Sequence, residues 1–230
     1  MTRGRSGDGR SAPSRHEGSA ISTGSNRHLD GGESTSRRGE VLIALARDAI
    51  ARELGMAATG AADAVPGGAV DRLPEALERA LEEPGACFVT LHTRGRLHGC
   101  IGSIEPRRSL REDVESNARS AAFRDRRFPP PTREDLGETT IEVSLLSPME
   151  PVAVSGEAEA LRALRPGVDG VLFEAGGHRA TFLPQVWASL PDPRAFLQQL
   201  RRKAGLPQNY WSDDVMLHRY TVTAFDEAAS

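Results

Sequence analysis

CFVTLHTRGRLHGCIGS, residues 87–103, decides how this chain folds. Val89 and Leu91 alternate with Phe88 and Thr90, the pattern resumes at Leu97, and Thr93-Arg94-Gly95-Arg96 between them is a polar turn with a glycine. Alternation on both sides of such a turn predicts a β-hairpin. The second strand places a thiol, Cys100, between Gly99 and Gly102, with His98 two residues upstream on the same strand face. Glycine inside a strand weakens it and marks a bulge or a close approach of another backbone. Two of them around a cysteine point to a site or a tight corner. A two-residue turn at Arg94-Gly95 puts Val89 opposite Cys100 and Cys87 diagonal to it on the same face, near the limit of disulfide reach.

Outward from the hairpin the signals alternate between helix and strand. Ser109 followed by Glu112 reads as a capping box, and Leu110, Val114, Ala118, Ala121 and Ala122 line one helical face. Phe128 and Pro129-Pro130-Pro131 end that helix, and Thr132 caps a further turn through Leu136. TTIEVSLL, residues 139–146, is a strand with Ile141, Val143 and Leu145 on its dry face and Glu142 and Ser144 on the other. Val171-Leu172-Phe173 and Ala180-Thr181-Phe182-Leu183 flank Gly176-Gly177 as a second hairpin. Asp192-Pro193 opens a helix that Gly205 closes, and a last strand runs over about 216–225. Upstream, Leu42, Leu45, Ala46, Ala49 and Ile50 recur at helical spacing up to a stop at Leu54-Gly55. Residues 56–72 read as a loose connection, and Pro74 opens a short helix that ends at Pro84-Gly85. Strand pairs and helices without a βαβ rhythm predict an α+β fold, a largely antiparallel sheet flanked by helices.

Composition narrows the function. The 230 residues suffice for one sizeable core or two small ones. The stretch to Arg38 holds seven arginines and four acids with almost no apolar residues, and is expected to be a disordered tail, with the folded domain over 39–228. The remainder carries 22 basic and 28 acidic residues, which gives no electrostatic footprint for nucleic acid. No apolar run is long enough to cross a bilayer, and no charged start followed by an apolar stretch marks a secretion signal. Two cysteines argue against a disulfide framework, and a cytoplasmic location is expected.

Five blocks, LHGCIGS, AAFRDRRFPP, IEVSLLSP, FLPQV and FLQQLRRKAGLP, in this order and at these separations, resemble the AMMECR domain family, whose prokaryotic members are called AmmeMemoRadiSam system protein A. The resemblance spans residues 39–228. It implies an α+β domain in two subdomains, with the glycine-cysteine hexapeptide beside the cleft between them. Activity in the family is not established. The resemblance implies an association with a Memo-like protein and a radical SAM protein. With no three-cysteine iron–sulfur motif in this chain, any radical chemistry would belong to the partner. Two departures stand out: His98 occupies the place where the family has arginine, and Arg202 precedes Lys203-Ala204-Gly205 in a region where the family commonly has a cysteine.

Cys100 is the nucleophile candidate, because a thiolate next to a cation or base is reactive. His98 is the matching base or cation, and Glu142 the candidate general base or hydrogen-bond acceptor on the same cleft. Gly99, Gly102 and Ser144 are expected to line it. Arg127, in the cluster with Arg124 and Arg126, and Lys203 are candidates for holding a carboxylate or phosphate, although cations at helix ends need no ligand to explain them. Gln185 is expected to be a buried amide bracing its loop. Each has a plainer reading as a buried thiol, a wet sheet face or a solvated helix end. A metal would need three or four converging ligands, and His98, Cys100, His92 and Glu142 do not make a visible set, so no metal and no cofactor are expected. Two functions follow: an enzyme or accessory subunit acting on a small molecule beside Cys100, or a non-catalytic module docking a Memo-like or radical SAM partner.

Overall fold

The computed structural model describes residues 30–57 and 74–227. Residues 1–29 of the expected tail and most of the 56–72 connection lie outside the described residues.

Helix α1, Asp30–Glu53, begins well before Gly39, so the stretch from Asp30 to Arg38 is helical rather than part of a tail. Its anchor is the apolar stripe: Val41, Leu42, Leu45 and Ile50 are each at most 2% exposed. At about 2 kcal/mol for each such side chain, burial outweighs the modest propensity cost of the Ser/Gly-bearing start. The chain continues through α2 (Glu75–Glu82), β1 (Cys87–Thr93), β2 (Arg96–Gly102), α3 (Leu110–Phe123), α4 (Arg133–Gly137) and β3 (Thr139–Leu146). Ser109 caps α3 by accepting from the Glu112 N–H, whereas the full reciprocal box is found at α4, between Thr132 and Asp135.

The second half holds β4 (Glu150–Pro151), α5 (Glu157–Ala163), β5 (Gly170–Ala175), β6 (His178–Phe182), a 3-10 turn at Pro184–Ala188, α6 (Pro193–Lys203), β7 (Met216–Tyr220) and β8 (Val222–Asp226). Asp192 caps α6 and Gly205 follows it at φ 82°, as the cap and stop signals predict. Helix α5, which carries no distinctive sequence signal, was not expected.

Two four-stranded sheets result, ordered β2-β1-β3-β8 and β4-β7-β5-β6, with every pair antiparallel. Each has its own core. The first sheet packs Val89, Leu91, Ile141 and Val143 against α1 and α3. The second packs Val171, Phe173 and Leu217 against α6, where the Phe196 and Trp187 rings stack at 3.7 Å.

The strand expected over 216–225 is two strands. It changes sheet at Thr221, just as the chain changes sheet between β3 and β4 at Ser147. The crossings lie side by side: the Ser147 N–H donates to the Thr221 carbonyl and the Thr221 N–H to the Ser147 hydroxyl, both at 2.9 Å. Above them Ala86, Leu146 and Tyr220 form a small third core with Phe88, Leu183 and Val222 packed on it, which joins the lobes.

Candidate functional site

Arg94 and Gly95 both have positive φ, 52° and 73°, the signature of a type I′ turn, and Thr93 pairs with Arg96 as the hairpin requires. The register then slips. Leu91 pairs with Gly99 and His92 with Leu97, leaving His98 as the extra residue of a bulge. Cys100 therefore lies opposite Thr90, not Val89, and on the other face of the sheet from Cys87. The diagonal Cys87–Cys100 pairing is overturned by this one residue, and both cysteines are free thiols.

The two glycines have separate steric causes. A Cβ on Gly99 would lie 2.2 Å from the Ala121 carbonyl oxygen, so α3 packs directly on the strand there; one on Gly102 would lie 2.2 Å from the Phe88 ring.

On the face away from the helices, one row runs Cys100, Thr90, Glu142, Asp226 across the four strands, and the next runs Gly102, Phe88, Ser144, Ala224. The Thr90 hydroxyl donates to Cys100 Sγ at 3.4 Å, and the Ser144 hydroxyl, buried, donates to Glu142 Oε1 at 2.8 Å. Glu142 is two strand spacings from Cys100, about 10 Å between backbones. It shares a surface with the thiol without contacting it directly.

β2 is an edge strand, and the RDRRF run covers it. Asp125 accepts from the Cys100 N–H at 3.0 Å and pairs with Arg127 at 2.9 and 2.6 Å, while Arg127 donates to the Cys100 carbonyl at 3.3 Å. Carboxylate and guanidinium thus stand in for a neighbouring strand. The Arg127 hydrogen bonds, opposed by desolvation and helped by the Cys100 N–H, hold the Asp125 carboxyl well below the usual carboxylate range. Arg127 is engaged in this clamp, beside Cys100 as expected but holding the protein's own carboxylate.

His98 does not bond to Cys100. Its ring stacks on Phe128 with centroids 6.1 Å apart, and its buried Nε2 has no hydrogen-bond partner. Lys203 sits on α6 in the second lobe, donating to the Thr181 carbonyl of edge strand β6 at 2.9 Å with its ammonium over the Phe182 ring. Gln185 is exposed, not buried, and lines a depression of about 500 Å³ with Trp187, Pro184, Val222 and Ala224. Ala224 belongs to the Ser144 row, so this depression lies at the β8 edge of the face whose β2 edge holds Cys100. Three strand spacings, about 14 Å, separate the edges.

Sequence reasoning missed Thr90, Asp125 and the contact that the second lobe makes with the first. Arg179 there pairs with Glu174 and with Glu105 of the first lobe, the one ion pair between lobes among the described residues, and His218 lies 3.7 Å from Glu174. Asp125 had a signal, a lone acid among arginines; Arg179 had none. Among the described residues no three His, Cys, Asp or Glu side chains converge as metal ligands would, and no helix is long and apolar enough to cross a membrane.

A model of the AMMECR1 family matches residues 43–225. Protein MJ0810 of Methanocaldococcus jannaschii is 39% identical over 157 residues, 66% of this chain and 78% of that protein. A protein of Thermococcus gammatolerans is 38% identical over 198 residues, 82% and 90% of the two chains. The crystal structure of the uncharacterized protein PH0010 from Pyrococcus horikoshii superposes with a TM-score of 0.66 at 32% identity, over 84% of this chain and 93% of that one.

Proposed function

This chain belongs to the AMMECR1 family, and on that premise we propose that it acts on a small molecule held between its lobes, on the sheet face that carries Cys100, as an enzyme or as the accessory subunit of one. The observation that carries this reading is the cross-strand row. A thiol, a hydroxyl donating to it and a carboxylate two strands away stand on one surface, with a buried Ser144 beside the carboxylate. Convergent polar groups on a rigid sheet are what a small-molecule site needs. Thr90 orients the thiol, the Asp125–Arg127 clamp fixes its backbone, and Glu142 is placed to accept a hydrogen bond or proton from a ligand spanning the row.

Docking a protein partner through a broad apolar patch is less well supported. The large exposed hydrophobics, Leu97, Val168 and Met216, are scattered over different elements. In the accessory form of the reading, the partner is a Memo-like or radical SAM protein supplying the chemistry this chain lacks.

The test is to equilibrate the purified protein with a metabolite extract and identify what it retains by mass spectrometry. Wild type should enrich at least one compound, and Cys100→Ser and Glu142→Gln should lower that enrichment about tenfold or more. Equal retention by all three proteins, or no specific retention, would overturn the small-molecule reading in favour of the docking one.

A further inference from the structure

A second cavity lies away from Cys100, where α1 and α2 meet the ends of β3 and β8. Its volume is about 380 Å³, and Pro84, Leu110, Leu145, Leu146 and Pro148 give it apolar walls. One cation enters these walls, Arg38 of α1. Its Nε is shut off from solvent and has no hydrogen-bond partner, and no ion pair or hydrogen bond among the described residues ends on its guanidinium. Arg47 on the same helix is the contrast: it is spent on Glu227 and on the Leu136 and Thr139 carbonyls. A guanidinium stays charged at every relevant pH and presents its donors as a fork. Leaving one N–H dry and unpaired is unfavourable unless something from outside the chain accepts it.

We propose that this cavity binds a small monocarboxylate with an apolar tail, its head group on Arg38 and its tail against the leucines and prolines. The fork fits a carboxylate bidentately. Glu83, exposed at the rim, brings the local charge to neutral and so disfavours a dianion. The Ser147 hydroxyl, also in the lining, is already engaged by the Thr221 N–H and the Pro148 carbonyl, and Arg38 is the one cation in the lining to anchor a carboxylate, with Thr223 the other hydroxyl residue there.

Calorimetric titration with three probes tests this: hexanoate, hexan-1-ol and inorganic phosphate. Hexanoate should bind saturably, hexan-1-ol about tenfold or more weakly, and phosphate not at all. Arg38→Met should weaken hexanoate by a similar factor while leaving hexan-1-ol unchanged, and Ala80→Phe, which fills the cavity from α2, should abolish both. Cys100→Ser should bind hexanoate like wild type, which keeps this site distinct from the cleft. No saturable hexanoate binding, equal affinity for hexan-1-ol, tighter phosphate binding, or an Arg38→Met protein that binds hexanoate normally would each overturn the proposal.

Discussion

The two faces of the first sheet divide the two cysteines between them. Cys87 is on the helix side, fully buried, with its N–H on Asp113 and its carbonyl on Asn117. Burial first, then the Asp113 charge, push its thiol far above the usual range. Cys100, on the face away from the helices, is half-buried, and its sulfur takes a hydroxyl hydrogen bond from Thr90. The same residue type, one hairpin apart, is an inert packing group on one face and an addressable thiol on the other. Surroundings decide, and the bulge at His98 decides the surroundings.

The largest test of this division compares the glycines. Gly99→Val drives a side chain into the backbone of α3, which cannot step aside, and should cost about 3 kcal/mol or more in urea denaturation, or abolish folding. Gly102→Ala meets the root of the Phe88 ring, which moves away only by a change of the side chain's first torsion and not by ring rotation, and should cost less, about 1–2 kcal/mol. Equal losses would erase the contrast between the faces. Next comes Asp113→Ala, which strips the acceptor from the Cys87 N–H, Asn117 and Arg108 in a buried network and should cost about 3 kcal/mol.

Iodoacetamide labelling of the native protein, read by mass spectrometry, sharpens the comparison further. Cys100 should react faster than Cys87 by roughly two orders of magnitude or more, and the difference should vanish in denaturant. Comparable native rates would mean that Cys87 is not sealed in the core. The smallest effect expected is a pH dependence at the edge clamp. The Asp125 carboxyl sits below its ordinary value of 3.8 in the folded state. Its contribution is therefore fully present above that value and is lost as pH falls toward the depressed native one. Asp125→Asn should lower the denaturation midpoint at pH 7, and the gap to wild type should shrink below pH 4; a constant gap would show that the charge of Asp125 does not stabilise the clamp.

Much of the fold was legible because its signals are local. The I′ turn at Arg94-Gly95, the cap at Thr132, the Asp192-Pro193 start of α6 and the dry face of β3 each depend on residues within one turn or strand. The candidate site was legible in part. Cys100, Glu142 and Ser144 do share one sheet face, and Arg127 is beside Cys100. Gln185 lies at the far edge of that face, exposed where a buried amide was expected, and Lys203 braces edge strand β6. His98 is stacked on Phe128 rather than bonded to the thiol.

By itself, then, the sequence determined most of the elements, several of their caps, the α+β class and the family. Only the tertiary structure decided which strand pairs with which, and three outcomes hung on that. A bulge adds a residue without altering composition, so the face of Cys100 relative to Cys87 had no local trace. Alternation through Tyr220, Val222 and Ala224 passes from β7 into β8, so the change of sheet at Thr221 is set by distant partners, Ser147 among them. The Arg179–Glu105 ion pair exists because two lobes far apart in the chain pack through Tyr220 and Phe88. Periodicity reports which side of a strand is dry; what stands opposite it depends on hydrogen bonds between segments far apart in the sequence.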